Sequence, residues 1–420
     1  MKIAVLGAGV VGVSSAWFLA QQGHEVEVIE RACGPARETS FANGGQISVS
    51  QSEPWARPGA VLQILRWLGR DDAPLLFRPR LDTRQWRWLA NFLLECRAGR
   101  YRDNLRQMVA LGLYSRATFA MLRAELDLSY HHQARGILTL LSDARQRDQA
   151  EADCALLRAH GVDKRVISRA QLLALEPALA PVAPSLAGAT WCPDDESGDV
   201  HLFTSQLAQH AERHGVTFRF QTRVNALECG SGRIDGVSVT SADGDYQLVR
   251  ADAYVLALGS FSAQIAASAG IRLPLYPTKG YSATVPLCNV AAAPQVSITD
   301  EEHKIVFSRL GDHLRIAGTA ELAGYSHALN PVRCQLLLRR ARALFAEDCC
   351  AWDQARFWSG MRPATPGNVP LIGRSRPYSN LFFNTGHGTL GFTEGPGSGR
   401  ALAEIISGKG APIDFAFVGL

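Results

Sequence analysis

No stretch of the 420-residue chain reads as the roughly 18-residue apolar helix that spans a membrane, the glycine-rich N-terminal run included. Any membrane contact is therefore expected to be peripheral. The N-terminal run also has neither a basic n-region nor an A-x-A cleavage site, so a signal peptide is not expected. No block of Lys or Arg stands out and the formal net charge is only +4, which argues against a nucleic-acid partner. The nine cysteines include no C-x-x-C pair and no His spacing suited to zinc, so no metal site is expected. They read as mostly buried thiols in a reducing, cytoplasmic setting. A Ser/His/Asp spacing for nucleophilic catalysis is not apparent either.

What the chain does have is core material. Hydrophobic residues make up 47% and charged residues 20%, the balance of a globular protein, and the length exceeds what one core organises, so two interpenetrating domains are expected. Lys2–Leu6 is an apolar run of strand type, and Gly7-Ala8-Gly9-Val10-Val11-Gly12 follows at once. A helical pattern then runs through Ala20, and Glu25–Ile29 reads as a second strand ending in Glu30. Each glycine has a mechanical reason: Gly7 for the tight turn, Gly9 for close approach of a pyrophosphate, Gly12 for helix–strand packing. The helix N-terminus, with Val10 and Val11, would face the phosphates. Glu30 is placed to accept hydrogen bonds from ribose hydroxyls. The neighbouring Arg31 is a candidate contact to a 2′-phosphate, but Glu30 would repel that phosphate and a surface charge is the simpler reading. This order of elements predicts a dinucleotide-binding fold without distinguishing FAD from NAD.

Further along, "ETSFANGGQIS" (38–48) is too small and polar to build a core. Between about Trp55 and Ala124 the spacing is helical, and arginines interleave with aromatics (Arg66, Trp67, Arg70, Phe77, Arg78, Arg80, Arg84, Trp86, Arg87, Trp88). Two readings apply: an amphipathic surface for a membrane or an electron-accepting partner, or ordinary packing with Arg stems over apolar faces. Asp194-Asp195-Glu196 reads as a solvated loop rather than a metal site, with Asp199 as a helix cap. Val216–Val224 alternates as a strand, and "AYVLALGS" is a buried run stopped by Gly259, as where a parallel strand delivers backbone to a cofactor. From Leu273 to Leu322 long strands suggest an antiparallel sheet in a second domain. The fold class expected is α/β: a Rossmann-like, glutathione-reductase-type cofactor domain (1–50, 190–270, 360–420) with an interleaved α+β substrate domain (51–189, 271–359) built on that sheet. A site at their interface is the default expectation.

The opening glycine motif with Glu30, "ETSFANGGQIS", "DDESGDVHLFT", "YPTKGYS", "GMRPATPGNVPLIG" and "NTGHGTLGFT", in this order, resemble the D-amino-acid oxidase superfamily of FAD enzymes. Within it the pattern is most similar to the bacterial D-amino acid dehydrogenases of small-subunit type. The resemblance implies FAD as cofactor and oxidative deamination of D-amino acids to 2-oxo acids and ammonia. It also implies electrons passing to a quinone or another non-oxygen acceptor, and a place in the cytoplasm or on the inner face of the cell membrane. It puts Thr39, Ser40, Gly44, Gly45 and Gln46 along the pyrophosphate and ribityl part of FAD, with Val224 and Gly259 among the cofactor contacts. Backbone of Gly386, His387, Gly388, Thr389 and Leu390 is aimed at the flavin pyrimidine ring.

Arg362 matches the superfamily arginine that binds the substrate carboxylate, a role suited to a planar guanidinium with two parallel donors. Tyr281 is a candidate second donor to that carboxylate, or a buried core tyrosine. Lys279 is a candidate for stabilising reduced flavin, or a paired surface charge. His387 either acts on the flavin or only packs. In one place the chain departs from the pattern: "FTEGPGSG" puts Glu394, Gly395 and Pro396 where a small apolar segment is expected. A D-alanine-like preference is therefore not assumed. Secondary amino acids such as D-hydroxyproline, proline or sarcosine are the alternative substrates, and a non-catalytic FAD subunit of a complex is a further alternative.

Overall fold

A computed structural model describes residues 1–67, 70–71 and 73–419; the side chains of Arg66 and Trp67, in the interleaved arginine–aromatic stretch, lie outside the described residues. The first strand, Lys2–Leu6, is the inner member of a six-stranded sheet ordered 371–374, 381–385, 253–256, 2–6, 25–29, 217–219. All neighbours are parallel except Leu371–Arg374, which runs antiparallel to Leu381–Thr385. Parallel strands need crossovers. Helix Val10–Gln21 supplies the first, burying Val13, Ala16, Trp17 and Leu19 against Ile3, Val5, Val26 and Val28. Helix Gly391–Ile406 lies on the same face, contributing Leu402, Ala403 and Ile406 to that core.

Strands from the rest of the chain form a nine-stranded sheet, which begins at one edge with the run Arg356–Ala364, Tyr276–Pro286, His313–Leu322, Ile305–Leu310, with every pair antiparallel. The expected antiparallel sheet is thus present but is not antiparallel throughout. Ser297–Asp300 runs parallel to Ile137–Leu141, and Leu75–Phe77 runs parallel to His313–Leu322. These partners come from distant segments joined through helices, so no hairpin constrains their direction. The boundaries expected at 190 and 360 each fall inside a strand of this sheet, Gly188–Cys192 and Arg356–Ala364.

Two further readings are corrected. Val216–Val224 is not one strand: it breaks at Gln221, which turns through φ +53, and its halves join different sheets. The acidic run is not a solvated loop. Asp195 is fully buried and accepts from Val49 N (2.9 Å) and the Ser48 hydroxyl (3.2 Å). Glu196 takes two hydrogen bonds from Arg123 and one from His132; only Asp194 stays exposed. Asp199 caps helix Val200–Arg213 by accepting from His201 N and Leu202 N.

Candidate active site

The N-terminal turn is built so that only glycine fits two of its positions. Gly7 has φ +104, and a Cβ there would lie 2.7 Å from the Ala257 carbonyl oxygen. A Cβ on Gly12 would lie 1.9 Å from the Gly7 carbonyl oxygen, so helix and strand could not pack. At Gly9 the nearest protein atom to a Cβ is the Ser40 hydroxyl, at an ordinary 3.5 Å; the protein alone does not require glycine there, which leaves room for a group approaching the backbone. Glu30 holds the turn: its carboxylate accepts from Ala8 N and Ala32 N, both at 2.9 Å. Each oxygen retains a lone pair for a hydroxyl. Arg31 is engaged by Glu38 and lies 4.0 Å over the Phe261 ring, so its charge is already partnered. Val10 N donates to the Ser40 hydroxyl, tying the small-residue segment to the helix start. Val11, on the same first turn, is half-buried. Beyond Glu30, Thr222 N donates to its carbonyl, and Val224 enters the apolar core beneath.

From there the segment 38–48 runs into a cavity of about 1370 Å³, lined by Thr39, Gly44, Gly45, Gln46, Thr389, Leu390, Thr393 and Arg362 among others. Two of its glycines are forced by packing, since a Cβ on Gly44 would meet Val306 at 2.5 Å and one on Gly45 (φ +69) would meet the Gly198 carbonyl at 2.9 Å. Gln46 donates to the hydroxyls of Ser297 and Thr299. One carbonyl gathers three parts of the chain: Met361 O accepts from Thr39 Oγ1 (2.8 Å) and from Ser260 Oγ (2.9 Å), next to Gly259.

Arg362 follows Met361 on the Arg356–Ala364 strand, opposite Thr278. Its guanidinium lies over Gly280, where a Cβ would sit 2.4 Å from Cζ; glycine makes the space. One nitrogen donates to the Thr319 carbonyl at 2.7 Å. Among the described residues no carboxylate pairs with it. Burial, with the Arg333 charge adding to it, lowers its pKa to about 10, which leaves it charged at neutral pH. A buried cation without an anion is costly unless a ligand supplies one.

Thr319 itself carries φ +58, an outlier for a β-branched residue, at the bulge where Lys279 and Tyr281 face Glu321 and Gly318.

Lys279 and Tyr281 were candidates for this site, and the structure places both side chains elsewhere. Residues alternate along Tyr276–Pro286, so they occupy the face opposite Thr278 and Gly280. Lys279 is buried rather than a surface charge. It stands 3.2 Å from the Glu321 carboxylate and donates to the Ala328 carbonyl, and the Tyr281 hydroxyl donates to the same carboxylate. Both pack under helix Pro331–Leu344. His387 is buried, with Nε2 against the Ser398 hydroxyl at 3.0 Å; burial lowers its pKa to about 3, so it is neutral. Its loop turns through Gly386 (φ +90) and Gly388 (φ +52), with Gly388 N donating to Pro363 O. The first turn of helix Gly391–Ile406 then offers free N–H groups. Thr319 and Gly280 were not singled out from sequence, and Asp195 was read there only as part of a solvated loop. Gly280 alone carried a signal, a glycine inside a strand pattern.

The glycine cradle, the acceptor lone pairs of Glu30, a long cavity and free amides at its end fit a dinucleotide with a flavin ring. A protein-family model described as FAD-dependent oxidoreductase matches residues 2–405. Curated D-amino acid dehydrogenases are similar over the full chain. That of Dechloromonas aromatica is 48% identical over 418 residues, covering 100% of both chains. That of Paramagnetospirillum magneticum is 48% identical, covering 100% of this chain and 98% of its own. Among solved structures, glycine oxidase from Geobacillus kaustophilus aligns with a TM-score of 0.75 at 21% identity, over 98% of this chain and 96% of that one. L-proline dehydrogenase from P. horikoshii aligns with a TM-score of 0.75 at 20% identity, over 98% and 95%. At such identities these two show the shared fold alone.

Proposed function

Since the chain belongs to the DAO family of FAD-dependent oxidoreductases, we propose that it is a D-amino acid dehydrogenase, oxidatively deaminating D-amino acids to 2-oxo acids and ammonia. The observation that carries the reading is Arg362: a charged guanidinium lining the cavity with no acidic partner among the described residues. A substrate carboxylate completes it, by two parallel hydrogen bonds that fix which face of Cα is presented. Bound FAD would supply the acceptor for the hydride that leaves Cα. Gly7, Gly9, Val10, Val11, Gly12 and Glu30 would hold its adenosine diphosphate end. Thr39, Ser40, Gly44, Gly45, Gln46, Val224 and Gly259 would hold its middle, and Gly386 to Leu390 with the following helix turn would hold the ring. Lys279 and Tyr281 take no part in proton transfer because Glu321 holds them on the opposite face. His387 takes none because it is neutral and bonded to Ser398. The substrate amine therefore reacts in its neutral form, without a base from these groups.

No helix of the described residues is long and apolar enough to cross a membrane. We infer a cytoplasmic enzyme, peripheral to the inner face of the cell membrane, that passes its electrons to a quinone. The test is anaerobic loss of flavin absorbance with paired D- and L-amino acids, proline and sarcosine included, repeated with Arg362→Ala. D-forms should reduce the flavin and L-forms should not. The variant should need at least about a hundredfold more substrate, the loss of roughly 3 kcal/mol from one charge pair. Preferential reduction by sarcosine or proline, or an unchanged Arg362→Ala, refutes the reading.

A further inference from the structure

We propose that the outer face of helix Thr83–Glu95, with Leu81 ahead of it, seats the enzyme on an anionic lipid surface. The helix is amphipathic in an unusual sense: both faces are apolar. Its inner face carries Trp88, Leu89 and Phe92, which line the cavity, and Trp88 Nε1 donates to the Ala364 carbonyl on the strand that holds Arg362. Its outer face, at helical spacing, carries Trp86, Arg87, Ala90, Leu93 and Leu94, with Arg97 just beyond. The side chains there are far from buried: Leu93 is 53%, Trp86 51% and Leu94 49% exposed, and Leu81 is fully exposed. Trp86 satisfies its N–H on Arg80 O, so its ring is presented as an apolar surface with no polar need of its own. The short helix Ala60–Trp67 adds to this, packing Ala60 and Ile64 into the same small core and leaving Leu62 exposed. Scattered exposed leucines need no explanation; a continuous apolar face does.

Charge selects the occupant. Between Arg78 and Arg106 there are eight arginines and three acids, and four of the arginines, Arg78, Arg84, Arg100 and Arg106, pair with Asp71, Asp82, Glu95 and Asp414. Two of those acids are engaged: Asp82 caps the helix, and Glu95 accepts from Asn104. Arg87 and Arg97 are exposed with no acidic partner among the described residues. A second copy of the chain docking here by two-fold symmetry would bring arginine against arginine. An anionic bilayer instead takes leucine and tryptophan between its headgroups and pairs phosphates with arginine. Because the same helix walls the apolar end of the cavity, a membrane held on one side of it lies beside the route a lipid-soluble acceptor would take. The proposal rests on the dehydrogenase reading for this purpose only.

The test uses the FAD-loaded enzyme and sedimentation with vesicles of phosphatidylcholine, alone or mixed with phosphatidylglycerol. Binding should require phosphatidylglycerol, fall with added salt, and blue-shift Trp emission. Arg87→Gln with Arg97→Gln should weaken it about 25-fold, at roughly fivefold per arginine near the surface. Trp86→Ser with Leu93→Ser and Leu94→Ser should abolish it and the blue shift. Flavin reduction by a D-amino acid should be unchanged in both variants, which separates this proposal from the catalytic one. Equal binding to neutral vesicles, no binding to either kind, or a dimer in solution that the serine variant dissociates would each overturn it.

Discussion

Glu394→Gln is expected to raise stability at neutral pH and to flatten its pH dependence. Glu394 sits in the first turn of helix Gly391–Ile406, completely buried, and neither carboxyl oxygen has a hydrogen-bond partner among the described residues. The helix N-terminus favours a carboxylate by about 0.3–1 kcal/mol. Burying an unpaired charge costs several times more, so desolvation wins and the folded-state pKa lies well above the ordinary 4.5. The folded protein therefore holds a proton that the unfolded chain releases once the pH passes that ordinary value. A raised carboxyl pKa contributes stability fully present below the unfolded value and lost as pH rises toward the folded one. The slope is about 1.4 kcal/mol per pH unit for this group. Between about pH 5.5 and about pH 7.5 the wild type should lose stability through this residue, and the glutamine variant should not. Urea unfolding of the FAD-loaded protein, followed by flavin release at both pH values, measures the difference. Parallel pH profiles for the two proteins would refute the argument. So would a glutamine variant less stable at both, which would show that the carboxyl has a partner the fold depends on.

Two further outcomes follow from the sheet. Lys279→Met strands Glu321 as a buried carboxylate and should cost about 3–5 kcal/mol of stability, while the substrate concentration for half-maximal flavin reduction stays put; a change in that concentration without loss of stability would return Lys279 to the site. Thr319→Gly relieves a positive φ that costs a β-branched residue about 1–2 kcal/mol and removes a buried hydroxyl that has no partner among the described residues, so the thermal midpoint should rise. A fall would mean that the side chain's packing outweighs its strain.

What could be read from sequence was whatever one residue type must do by itself. Gly12 is dictated by a backbone contact to Gly7 inside a short stretch and Gly7 by its own φ of +104, and Arg362 is proposed for a chemistry few other side chains offer. What could not be read was register. Period-two alternation puts Lys279 and Tyr281 on one face, but only pairing with Arg356–Ala364 reveals that Arg362 shares the other face with Thr278 and Gly280. Asp195 looked solvated for a similar reason. Its partners are the amide of Val49 and the hydroxyl of Ser48, some 146 positions away, and no local pattern reports a carboxylate satisfied at that range.

The Met361 carbonyl has a consequence for how the enzyme comes into being. It is held by Thr39, 322 positions earlier, and by Ser260, 101 positions earlier. Arg362 is the next residue, so the guanidinium proposed as carboxylate anchor takes its place only when the first tenth of the chain meets the last seventh. On the ribosome that contact waits until nearly all of the protein has emerged, and contacts of such separation are slow to close. A chain truncated before this strand has the glycine turn but no anchor. Acquisition of substrate binding should therefore be among the last events of folding, after the N-terminal strand–helix–strand has formed.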